Sequence, residues 1–172
     1  MAKRGIAIGL VILVAGFLFS FSLTLAQSSG EADPAQADME SEVRQLLEAI
    51  TRLSGYRMPD SLPRVFVVPQ YALESKLCEL PCNATAAYFP REGIYLAGHM
   101  VPFRIVSDRA VLVHELVHFL QQGHPTFAEL TGCEREHAKE REAFTIQNAY
   151  LAAMGSRERV QFFEGVYACE DK

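Results

Sequence analysis

The stretch VLVHELVHFLQQG, residues 111–123, decides how this chain is read. It is a largely apolar run that carries His114, Glu115 and His118 at its centre. Polar side chains are costly to bury unless something pairs with them, so three within five residues demand a partner. On a helix turning about 100° per residue, Gln121, His114, His118, Gln122, Glu115 and Asp108 fall within an arc of about 140°, broken only by Val111. Leu112, Val113, Leu116, Val117, Phe119 and Leu120 cover the remainder. The expectation is a buried helix that opens one narrow polar stripe. Ser107 is expected to cap its start and Gly123 to stop it.

His114 and His118 stand four apart and project side by side, which suits two imidazoles gripping one ion. Glu115 lies about a quarter-turn away, where it reaches water beside that ion without being a ligand. The five-letter pattern HExxH also occurs in proteins that bind no metal, where the histidines pair with protein groups. Hydrolytic zinc sites usually take three protein ligands and keep a fourth position for water. The segment EREHAKEREAFTIQNAYLAAM, 134–154, supplies the candidates for the third. On a helix, Glu142 is centred on a face of Ala138, Ile146, Ala149 and Ala153, with Tyr150 slightly to one side. A carboxylate buried there needs a partner, and an ion held by two histidines is the partner expected. The other reading of Glu142 is an ion pair with Lys139 or Arg135. Glu140 is expected nearly opposite and Glu136 between them. His124 is the second candidate for third ligand.

HELVH followed 24 residues after His118 by Glu142, within EREAFTIQNAYL, resembles the gluzincin branch of zinc metallopeptidases, in particular its minimal versions. The resemblance covers roughly residues 85–154 and implies Zn²⁺ on His114, His118 and Glu142. It further implies Glu115 as general base in hydrolysis of a peptide or protein substrate, and a tyrosine or histidine donor for the oxyanion, for which Tyr150 is the candidate; the favoured reading of Tyr150 is an ordinary core aromatic. Metzincins are disfavoured because their longer motif needs glycine where this chain has Gln121. The competing readings are a non-catalytic binding module of the same fold, and a metal-free, disulfide-held envelope interaction protein.

The chain opens with MAKR and then has no charged residue from Gly5 to Ala26. A basic segment before an apolar one is an export leader, residues 1–26, either cleaved as a signal peptide or kept as a single membrane anchor. The expected location is periplasmic or extracellular. Residues 27–40 are expected as a flexible linker and 41–172 as the folded domain. Without Lys3 and Arg4 the basic count falls from 16 to 14 against 21 acidic residues, a balance of −7. That balance argues against nucleic acid as a partner. Four cysteines in an exported chain suggest disulfides, with Cys78–Cys82 and Cys133–Cys169 the expected pairs.

Val43, Leu46, Leu47, Ile50 and Leu53 recur at helical spacing up to Gly55. RVFVVP (64–69) reads as a strand and YALESKLCEL (71–80) as a short helix. TAAYF (85–89) and IYLA (94–97), around PREG, read as a hairpin. IYLA is expected either as an edge strand that takes an extended peptide or as an inner strand. Residues 133–154 read as a long helix, and SRERVQFFEGVYA (156–168) as a last amphipathic stretch. The fold class is α+β: a small, mostly antiparallel sheet packed on the HExxH helix and on a second, glutamate-bearing helix.

Overall fold

The computed structural model describes residues 34–79 and 82–162. The element order is α1 (Pro34–Leu53), β1 (Val65–Val68), α2 (Gln70–Leu77), β2 (Ala86–Phe89), β3 (Gly93–Ala97), α3 (Val106–Gln121) and α4 (Gly132–Ala153). One short 3-10 turn, Pro125–Phe127, lies between the last two helices. This is an α+β arrangement, as the patterning predicts. Helix α1 begins within the segment expected as a linker. Ser107 does not cap α3; Ile105 takes the N-cap position and Ser107 lies in the first turn. The segment 156–162 is not helical, and the rest of the expected last helix lies outside the described residues.

The sheet has the order β1-β3-β2. β2 and β3 form the expected antiparallel hairpin, with Ala87 opposite Tyr95. β1 runs parallel to β3, with Phe66 opposite Tyr95, so the sheet is mixed rather than mostly antiparallel. The reason is connectivity: α2 follows β1, and the hairpin that comes next docks its second strand, not its first, against β1. IYLA is therefore the central strand, and β2 is an edge.

Alternation along β3 sends Ile94 and Leu96 into the core with no exposure, while Tyr95 points to the other face. There it meets Phe66 and Phe89 at ring separations of 4.9 and 5.4 Å, and Lys76 of α2 lies over the Phe89 and Tyr95 rings. On the inner face, Leu112, Val113, Leu116 and Val117 of α3 are completely buried. α1 adds Val43, Leu46, Leu47 and Ile50 to the same core. Each such side chain contributes on the order of 1.5–3 kcal/mol over its exposed state. α3 thus packs against the sheet, α1 and α4, with His114 and Glu115 of its polar stripe buried and Gln122 at its end exposed.

Cys78 and Cys82 form the expected local disulfide. The second expected bond, Cys133–Cys169, ends on a residue outside those described. Among the described residues no helix is long and apolar enough to cross a membrane; residues 1–26, expected as an export leader, lie outside them.

Candidate metal centre

The two histidines of α3 do project together. Their Nε2 atoms lie 3.0 Å apart, and each lies 3.2 Å from an oxygen of one carboxylate. That carboxylate belongs to Glu140, not Glu142. Residues two apart on a helix are turned about 160° from one another, so only one of these glutamates can point at the histidine pair; Glu142 meets α3 at its end, at Gln121. The residues of α4 that share the Glu140 side, at spacings of three, four and four, are Ala143, Gln147 and Leu151, all buried. Helix α4 therefore has two buried stripes, because it packs against α1 as well as α3. The small and apolar surroundings of Glu142 mark the other one. A polar Gln147 within the Glu140 stripe was the available signal, since a glutamine buried on an apolar face needs partners of its own.

His114, His118 and Glu140 form the one group among the described residues that is close enough to hold a metal ion, with ligand atoms all within 4.8 Å of one another. Ligands about 2.0–2.2 Å from a tetrahedral zinc stand about 3.3 Å from each other, close to the separations of 3.0 and 3.2 Å here. The chemistry of the set agrees. His114 Nδ1 faces Gln147 Oε1 at 3.1 Å, and His118 Nδ1 faces Gln121 Oε1 at 2.9 Å. Amide oxygens only accept, so each ring donates from Nδ1 and keeps its Nε2 lone pair for the centre. Two lone pairs and a carboxylate then converge, which requires a cation, either a proton or a metal.

Charge coupling in the cluster follows the same logic. Burial alone would raise the Glu140 carboxyl, but hydrogen bonding and charge attraction with the His114 and His118 side chains outweigh it and hold it at about 2. Burial alone would lower His118, but the Glu140 hydrogen bond and the Glu115 charge outweigh it, and its pKa is raised. Glu115 is 8% exposed. Burial pushes its carboxyl up, opposed by the neighbouring histidines and by a hydrogen bond from the Tyr88 backbone N–H. A carboxyl held above its ordinary range is suited to accepting a proton and giving it back.

These groups open into a cavity of about 520 Å³ whose walls include His114, Glu115, His118, Glu140, and Ala86, Ala87 and Tyr88 of β2. Glu136 also lines it and pairs with Lys139 at 3.1 Å. Tyr150 takes the favoured of its two readings, an ordinary core aromatic: it is 3% exposed within the hydrophobic core, is not placed as an oxyanion donor and does not line this cavity. Tyr88 does, with its hydroxyl hydrogen-bonded to Gln122. His124 is turned away as well, its ring 4.8 Å from that of Tyr56 and its Nδ1 accepting from the Thr126 N–H. Glu142 accepts from the Tyr56 hydroxyl at 2.5 Å and from Gln121 Nε2 at 2.9 Å. Neither Lys139 nor Arg135 is its partner in these bonds.

No protein-family model matches the chain, and neither does any curated protein or solved structure.

Proposed function

We propose that this chain is an exported zinc-dependent peptidase of the zincin type, with His114, His118 and Glu140 as ligands and Glu115 as general base. The observation that carries this reading is the convergence of three metal-ligand atoms within 4.8 Å in a cavity that also holds a buried carboxyl, Glu115. A purely structural site has no need of that fourth group. When bound, the ion supplies a Lewis acid for a carbonyl and makes a water acidic enough to react near neutrality. Glu115 takes the proton of the attacking water and delivers it to the leaving amine. The backbone N–H of Tyr88 orients Glu115, and the Tyr88 hydroxyl, now donating to Gln122, is the candidate donor in the same cavity for a developing oxyanion.

The position of β2 supports a peptide as the substrate. It pairs with β3 alone in the sheet, and Ala86, Ala87 and Tyr88 line the cavity. An extended peptide adds to such an edge through main-chain hydrogen bonds, which brings one of its amide bonds beside the cluster. The leader, outside the described residues, supports export.

The test is bound zinc per chain in the oxidised protein, together with cleavage of a peptide library. We expect one zinc, lost in His118→Ala and Glu140→Ala. Glu115→Gln keeps the zinc and loses cleavage. A folded wild type without zinc removes the enzyme reading. Zinc that survives Glu140→Ala unchanged removes the ligand assignment. Zinc without turnover on any peptide leaves a binding module.

A further inference from the structure

The peptidase chemistry gives no task to Glu142, Gln121 or Tyr56, yet hydrogen bonds join all three to the cluster. Gln121 is 1% exposed. Its Nε2 lies 2.9 Å from the carbonyl oxygen of Lys139 and 2.9 Å from Glu142 Oε2. Its Oε1 lies 2.9 Å from His118 Nδ1. These neighbours permit one orientation of the amide. A peptide carbonyl accepts only, so the NH2 group must face Lys139. Glu142 Oε2 already accepts the Tyr56 hydroxyl hydrogen, at 2.5 Å, and takes the second amide hydrogen. Burial and the adjacent carboxylate push the Tyr56 hydroxyl up, so it remains a donor. The Gln121 carbonyl oxygen is left facing the imidazole and cannot donate, so His118 Nδ1 must carry the hydrogen.

We propose that Glu142 is a positioning residue: with Tyr56 behind it, it holds the Gln121 amide in the one orientation that keeps His118 in its Nδ1–H tautomer. The lone pair of the neutral ring is thereby fixed on Nε2, the atom that faces His114 and Glu140. Metal-ligating histidines are generally fixed in this way through their other nitrogen. Here the group touching the ring is a neutral amide, and the carboxylate stands one hydrogen bond further back. The role toward zinc rests on the metal-site reading above, whereas the tautomer does not.

The experiment uses the full-length protein in two measurements. Nitrogen-15 NMR of the His118 ring, without metal and at a pH where the ring is neutral, reads the tautomer. Competition against a chromophoric chelator reads zinc affinity. We expect Nδ1–H in the wild type and its loss in Gln121→Met, which keeps length and removes the amide. Zinc affinity should fall about 10–100-fold in that variant. Glu142→Ala should fall less, because the Lys139 carbonyl still holds one amide hydrogen, and Glu142→Gln should retain most of the affinity through its own carbonyl. An Nε2–H ring in the wild type overturns the proposal without any variant having to fold. So does unchanged zinc affinity in Gln121→Met, or in Glu142→Ala. An Nδ1–H ring that disappears in Gln121→Met, in a protein that takes up no zinc, sustains the relay while the peptidase reading falls.

Discussion

Glu140 and His118 shift one another's proton affinity in opposite directions, and the signs define a pH window. Glu140 is depressed from its ordinary 4.5 to about 2. Its stabilisation is present above 4.5 and is lost as pH falls toward 2. His118 is raised above its ordinary 6.5. Its stabilisation is complete below 6.5 and is lost as pH rises through the raised value. The metal-free protein should therefore gain most from this pair between pH 4.5 and 6.5. Glu115 is raised by burial and, like His118, loses stability as pH rises, but wild type and variant both carry it. Melting temperatures of wild type and Glu140→Gln, taken with chelator across pH, should converge at both flanks and differ most within the window. Parallel profiles would mean that the pair contributes nothing. The Gly123→Ala substitution isolates a different residue-scale effect. Gly123 has φ +72°, and a Cβ there would meet only open space, so left-handed strain alone opposes the change, about 1–2 kcal/mol.

At the scale of elements, Gly93 decides how β3 enters the sheet. Its φ is +136°, and a Cβ there would stand 2.4 Å from the Arg64 carbonyl oxygen. That same oxygen accepts the Ile94 N–H at 2.8 Å, the first contact of the parallel β1–β3 pair. Gly93→Ala must therefore strain the backbone and part the strands together. The expected cost exceeds the roughly 1–3 kcal/mol of backbone strain alone, read as a shift in the urea midpoint larger than that of Gly123→Ala. Equal shifts would show that the close approach carries no energy. α4 poses the complementary problem. Its sequence presents two faces that can be buried, and Glu140 and Glu142 head one each. Which carboxylate met the histidines depended on how α4 docked on α3; Glu142 meets that helix at Gln121 instead. Residues at short range behaved as their patterns suggested: the HELVH stripe, the hairpin and the Cys78–Cys82 bond all follow from spacing within a few positions.

At the scale of the whole molecule, the proposed zinc ties α3 to α4 through His114, His118 and Glu140. A ligand that binds only the folded state stabilises it by mass action, about 2.7 kcal/mol at a free concentration a hundred times Kd. Zinc should raise the melting temperature of the wild type in a concentration-dependent way and leave His118→Ala unmoved. An equal rise in that variant would point to binding elsewhere.

The sequence by itself determined that α3 is a buried helix with a histidine pair and a glutamate on one narrow stripe, and that the class is α+β. Both follow from periodicity, which is a property of neighbours along the chain. Only the tertiary structure decided the parallel docking of β1 on β3, the edge position of β2, and the meeting of Glu140, rather than Glu142, with the histidines. These depend on which of several comparable apolar faces dock. That choice is settled by packing the whole core at once, because α4 must satisfy α1 and α3 together, and no local pattern contains it.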